Sequence, residues 1–232
     1  ESLANSLSAE GLKHVLIISD GLNVNGDQLV QGLSQVLGDE VGVTGGLAGD
    51  GGLFEKTLVS LGREAFDNAI VAIGFYGEKI DVGCGSMGGW DPFGPQRLVT
   101  KSDGKVLYEL DNASALDMYK EYLGDKAAEL PASALLFPLS LTKDPSKGWE
   151  SSVVRTILAI DEEKSSMTFA GDIPEGYYAQ FMKANFDKLV DGAESAAQSS
   201  VMGMGENQVS LGLLISCVGR KLVLKQRTEE EA

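Results

Sequence analysis

His14-Val15-Leu16-Ile17-Ile18-Ser19-Asp20-Gly21 is the stretch on which the fold turns. After its first residue the run over 14–18 is apolar and rich in branched side chains, and it ends in Ser-Asp-Gly. That combination predicts a buried strand feeding a turn. The period then changes, because Leu29, Val30, Leu33, Val36 and Leu37 recur at helical spacing. With Asn25 as N-cap and Gly38 as stop, the spacing predicts a helix over Gly26–Leu37. A short strand over 40–43 follows, and then Thr44-Gly45-Gly46-Leu47-Ala48-Gly49-Asp50-Gly51-Gly52, expected as a turn. Strand, helix and strand in this order are the usual route to parallel pairing.

Beyond this unit, strand-like runs at 54–60, 68–76, 79–84 and 97–101 are divided by glycines, and Ser102-Asp103-Gly104-Lys105 signals a hairpin returning through Val106–Leu110. Helical spacing resumes after Ser114, with Leu116, Tyr119 and Leu123 on one face before Gly124. An apolar run over 134–141 leads to a polar break over 142–150, and 153–161 and 165–170 predict a hairpin. A helix is expected over 183–197 and a glycine- and methionine-rich loop over 201–208. Residues 211–215 predict a second buried strand, closed by Ser216-Cys217-Val218-Gly219 and followed by a helix from Arg220. The expected fold class is α/β (α+β), with mixed β-sheets, packed helices and two related strand–turn–helix halves.

Composition narrows the function classes. In 232 residues there are 19 Lys and Arg against 34 Asp and Glu, a net charge of −15. Such a field repels phosphate backbones and anionic membranes, so no nucleic-acid partner is expected. No apolar run approaches the roughly 18 residues of a membrane span, and the polar start does not resemble a secretory signal. No membrane insertion is expected, and a cytoplasmic location is. Cys84 and Cys217 build no disulfide framework, and a single histidine, His14, makes a protein-only metal site unpromising. Glycine is the outlier, at 29 residues, well above the average share of about 7%. Its clusters mark sharp turns or close approach.

Several motifs in order resemble the FIST domain, named for F-box and intracellular signal transduction proteins. They are Ser19-Asp20-Gly21-Leu22-Asn23-Val24-Asn25-Gly26, the run from Thr44 to Gly51, Gly88-Gly89-Trp90-Asp91-Pro92-Phe93-Gly94-Pro95, Val153-Val154-Arg155-Thr156-Ile157-Leu158-Ala159-Ile160-Asp161 and Ser216-Cys217-Val218-Gly219-Arg220-Lys221. The resemblance covers nearly the whole chain. It implies a bacterial sensory module that binds a small ligand, amino acids among those proposed, and passes its state to a signalling output domain or protein. It also implies two parts, 1–112 as the end of an N-type domain and 113–232 as a C-type domain, with further segments before Glu1 and after Ala232. Some family members are haem-based nitric oxide sensors, which makes His14 a haem-ligand alternative; the expectation here is no cofactor.

The candidate ligand-binding residues follow from chemistry. Thr44, Gly45, Gly46 and Gly49 offer backbone N–H groups for an anion nest, and Asp50 offers a carboxylate for an ammonium or a turn cap. Ser19, Asp20, Ser216 and Cys217 stand where strands end and helices begin, the edge at which ligands collect in open α/β sheets. Trp90 and Asp91 offer an aromatic wall with one charge. Arg220 and Arg155 are carboxylate forks or internal ion-pair partners. No catalytic residue is expected. The alternative is a thiol-dependent or hydrolase-type enzyme using Cys217, which would need His14 as its base although the two are predicted at opposite sheet edges.

Overall fold

Strand β1 (Leu12–Ser19) is the axis of a three-stranded sheet. The computed structural model describes residues 1–51, 53–147, 152–202, 204 and 208–231. β1 pairs in parallel with β2 (Gly42–Leu47), from His14 opposite Gly42 to Ser19 opposite Leu47. On its other side β5 (Ile70–Tyr76) runs antiparallel. Helix α2 (Gly26–Leu37) starts where Asn25 Oδ1 accepts from the N–H groups of Asp27 and Gln28. Its Leu33, with Ala4 of α1 (Ser2–Leu7), packs on Val15 and Ile17 of one sheet face. Val30, expected on the buried face, is exposed.

The strand expected over 40–43 instead begins at Gly42 and absorbs Thr44, Gly45, Gly46 and Leu47, so these four residues are strand and not turn. Close approach explains the glycine. A Cβ at Gly45 would lie 1.8 Å from the Ile17 carbonyl oxygen, at a φ of +155°. The expected strand over 54–60 shrinks to β3 (Val59–Leu61), which pairs with β4 (Glu64–Phe66). Residues 79–84 form no strand. Further along, the chain lies against helix α4 (Phe186–Met202), so closely that a Cβ at Gly85 would be 1.9 Å from the Ala196 carbonyl oxygen.

The larger sheet is antiparallel and hangs on one long strand, β6 (Trp90–Asp103). The first half of β6 pairs with β13 (Tyr178–Ala184), and its second half pairs with β7 (Val106–Leu110). β8 (Ala113–Ser114), β9 (Leu139–Thr142), β10 (Val153–Arg155), β11 (Ile157–Asp161) and β12 (Ser166–Phe169) complete it. The order is β10-β9-β13-β6-β7-β12-β11, with β8 on β7. Helix α3 (Ala115–Leu123), capped by Ser114, places Leu116, Tyr119 and Leu123 in the main core with Leu107, Leu139 and Phe181. β13 is the element the sequence hid: the helix expected over 183–197 starts only at Phe186, and Lys183 and Ala184 belong to the strand.

The second buried strand is also absent. Residues 211–215 form no strand, and Leu211 is 84% exposed. A strand needs a partner to pair with, and 211–215 joins neither the small sheet nor the large one. The expected helix does follow, as α5 (Val218–Leu224). The repeated unit therefore retains its turn and helix without its strand. Of the two loop expectations, Val201 and Met202 close α4 and Pro145–Lys147 form a 3-10 turn, while 148–150, 203 and 205–207 lie outside the described residues, as does Gly52.

A polar latch joins the small sheet unit to the large sheet. Asp27 Oδ2 accepts from Arg155 Nη2 at 2.6 Å and from the Asp172 N–H at 2.7 Å, while Asn25 Nδ2 donates to Asp172 Oδ1 at 2.7 Å. Arg155 is thus the internal ion-pair partner.

Substituting Gly45 by Ala should cost at least about 3 kcal/mol, because strand backbones must separate to admit the methyl group. Gly46→Ala, whose new carbon would sit 3.6 Å from Ile215 Cγ2, should stay close to the parent. Thermal or urea melts of the pair check this.

Candidate functional site

The turn after β1 is organised around one buried charge. Asp20 is 1% exposed. Its Oδ1 accepts the N–H groups of Leu22 at 2.8 Å and Asn23 at 2.7 Å. Its Oδ2 accepts the Thr57 hydroxyl at 2.9 Å and the Asn68 N–H at 3.2 Å. Thr57 in turn accepts the Gly21 N–H at 3.0 Å. Burial pushes this carboxyl up, but the donors from Asn23, Leu22, Thr57 and Asn68 together hold it below the usual carboxylate range. Ser19 is buried beside it and donates to the Asp20 carbonyl. Both expected ligand residues are therefore already hydrogen-bonded within the protein, Asp20 partly to segments remote in sequence.

The glycine run leaves the sheet at the same edge. The Ala48 N–H donates to the Ser19 carbonyl at 2.8 Å, which ties the ends of β1 and β2 together. Asp50 caps the next turn, accepting from the N–H groups of Phe54, Glu55 and Lys56. The C-terminal half meets this edge: Ile215 lies over Gly46, and the Cβ position of Gly49 is 4.0 Å from Val218. Cys217 is exposed there and caps α5, its Sγ accepting the Arg220 N–H at 3.3 Å. Ser216 donates to Glu231 Oε2 at 2.8 Å.

The remaining candidates belong to a separate cluster under α5. The Arg220 guanidinium donates to Glu231 and to the carbonyls of Met87 and Leu189. Trp90 packs with Met182, Leu189, Val223 and Leu224. Asp91 accepts from Asn185 Nδ2 at 2.7 Å and from Lys188, partners that keep its carboxyl low. So the fold unites Ser19, Asp20, Gly45, Gly46, Gly49, Asp50, Ser216 and Cys217 at the carboxyl edge of β1 and β2 and places Trp90 and Asp91 elsewhere, while Arg220 links the two through Cys217 and Glu231.

Thr44 and His14 stand apart from both. His14 is 4% exposed, and its Nε2 lies 2.7 Å from Thr44 Oγ1 toward the amino end of the sheet, away from Cys217. Burial lowers the imidazole pKa. A cleft of about 690 Å³ opens at this end, with His14 and Gly42 on the sheet side and residues 78–82 opposite. Its lysines and carboxylates do not make the flat apolar slot a porphyrin requires, so the residues present do not fit haem. Sequence reading missed this cleft. Its signal was a polar residue opening an otherwise apolar strand.

Two sheets joined through α2, with a glycine edge facing the C-terminal helix, define a two-part α+β module without a helix long and apolar enough to cross a membrane among the described residues. Family models identify the parts: the FIST N domain matches residues 1–113 and the FIST C domain matches residues 115–232. The chain belongs to the FIST family, whose domains are associated with signal transduction. It is also 28% identical over 177 residues to an uncharacterized protein of Methanocaldococcus jannaschii, a match spanning 69% of this chain and 33% of that relative. No solved structure matches.

Asp20 yields a pH prediction. Its depressed folded pKa contributes stability that is present above the unfolded carboxylate value and lost as pH falls through the folded one. Asp20→Asn should therefore destabilise by about 2–4 kcal/mol at pH 7. The gap to the parent should narrow below about pH 4. Urea melts across pH check it.

Proposed function

We propose that this chain is the input module of a signal-transduction protein, taking a small polar ligand at the carboxyl edge of β1 and β2. The observation that carries the reading is the meeting of the two family halves there: the glycine run from the N part faces Ile215 and Val218 from the C part. A ligand bridging that seam alters how the halves sit, and the altered seam is what an output domain or partner protein reads. Ala48 and Gly49 supply backbone, Cys217 supplies an exposed thiol, and the carboxyl edge is where α/β folds gather ligands. In this reading the module binds and relays without catalysing. Cys217 serves as a helix cap, and the imidazole a thiol enzyme would need belongs to the opposite end of the sheet.

A thermal-shift screen of the whole protein against amino acids, nucleotides, small carboxylates and haem tests this. One class should raise the melting temperature saturably, by roughly 5–10 °C at a hundredfold excess over Kd. Gly49→Phe fills the seam and should weaken binding at least tenfold while the free protein melts near the parent. A folded protein that captures a protein partner yet responds to no class would replace this reading with that of an interaction scaffold.

A further inference from the structure

We propose that the cleft at the amino ends of β1 and β2 binds a small organic molecule carrying an ammonium group, with an ammonium N–H donating to Nδ1 of His14. This site lies at the opposite end of the sheet from the seam discussed above and does not depend on it. His14 forms the cleft's floor and is 4% exposed. Its Nε2 is taken by Thr44 at 2.7 Å, and Nδ1 has no hydrogen-bond partner among the described residues. Gly42 keeps that nitrogen uncovered, because a Cβ there would lie 2.6 Å from Nδ1. Nδ1 is thus a ring nitrogen open to the cleft, where an N–H donor that enters can reach its lone pair. In a cleft of about 690 Å³ that donor can be a ligand.

The charge around the floor sets the ligand's sign. Lys13 comes from β1 and Glu40 from the turn before β2, while Glu78, Lys79 and Asp81 come from the segment after β5. Three carboxylates against two lysines, within a protein of net charge −15, favour a cation. Ile80 and Val82 give an alkyl stem an apolar wall. That wall suits an organic cation, whose stem packs on it while its ammonium group meets the carboxylates. Burial keeps the imidazole neutral, which leaves a ring lone pair available to an N–H donor once Nε2 donates to Thr44.

Because the chain holds one histidine, every imidazole signal is His14. The experiment uses the whole protein labelled with 15N-histidine, titrated with n-butylammonium chloride and, separately, with sodium chloride at equal ionic strength. Nδ1 should appear in its lone-pair form and shift saturably with butylammonium alone. Affinity should fall about tenfold per pH unit below the free imidazole pKa, since protonation removes the acceptor. Glu40→Lys combined with Glu78→Lys, both at exposed positions, should weaken binding at least tenfold while the free protein keeps the parent's circular dichroism spectrum. A proton on Nδ1 in the free protein, a shift reproduced by sodium chloride, or affinity that rises in acid would overturn the proposal.

Discussion

The carboxylate of Asp20 is a charge removed from water, and the small sheet is arranged so that this removal is compensated. An isolated buried charge is costly, whereas one surrounded by donors is an anchor. Its donors come from three places: the turn itself, Thr57 in the segment leading to β3, and Asn68 just before β5. Those positions are far apart in sequence. Satisfying one carboxylate therefore ties the end of β1 to the segment before β3 and to the entry of β5.

That anchoring has consequences at both ends of the sheet. At the carboxyl edge the Ser19 carbonyl beside Asp20 accepts the Ala48 N–H, and Ile215 and Val218 rest against the glycine run there. At the amino edge, β1 and β2 run in register back to His14 and Gly42, which places a buried imidazole at the floor of a cleft. The latch of Asp27, Arg155 and Asp172 then fixes α2 to the large sheet, so the halves of a FIST protein share polar contacts as well as apolar ones. A half-buried ion pair of this kind specifies orientation more than it adds stability.

Local patterns were legible wherever local physics decides. α2 spans its predicted residues with its predicted cap, and α3 buries its predicted face. The hairpin of β6 and β7 closes where Gly104 allows a positive φ. β13 was not legible. Ala179, Phe181 and Met182 are all buried, which breaks the two-residue alternation, and helix-compatible residues follow without a gap. Residues 211–215 mislead in the other direction, since an apolar run carries no information about whether a strand edge is free to receive it.

For the sites the division is similar. The sequence offered Asp50 as a turn cap as well as a ligand carboxylate, and it does cap a turn; Asp20, Cys217, Ser216, Trp90 and Arg220 it could only nominate as ligand residues. The partners of the last three, Glu231, Val223 and Leu189, lie in other elements, so only packing could assign them. The family and the first strand–helix–strand unit were written in the chain, because turn residues, caps and helical spacing act over a few positions. Which nitrogen of His14 faces open space, and which glycines touch another backbone, were decided by tertiary structure alone. Those properties depend on distances between segments remote in sequence, which no local pattern encodes.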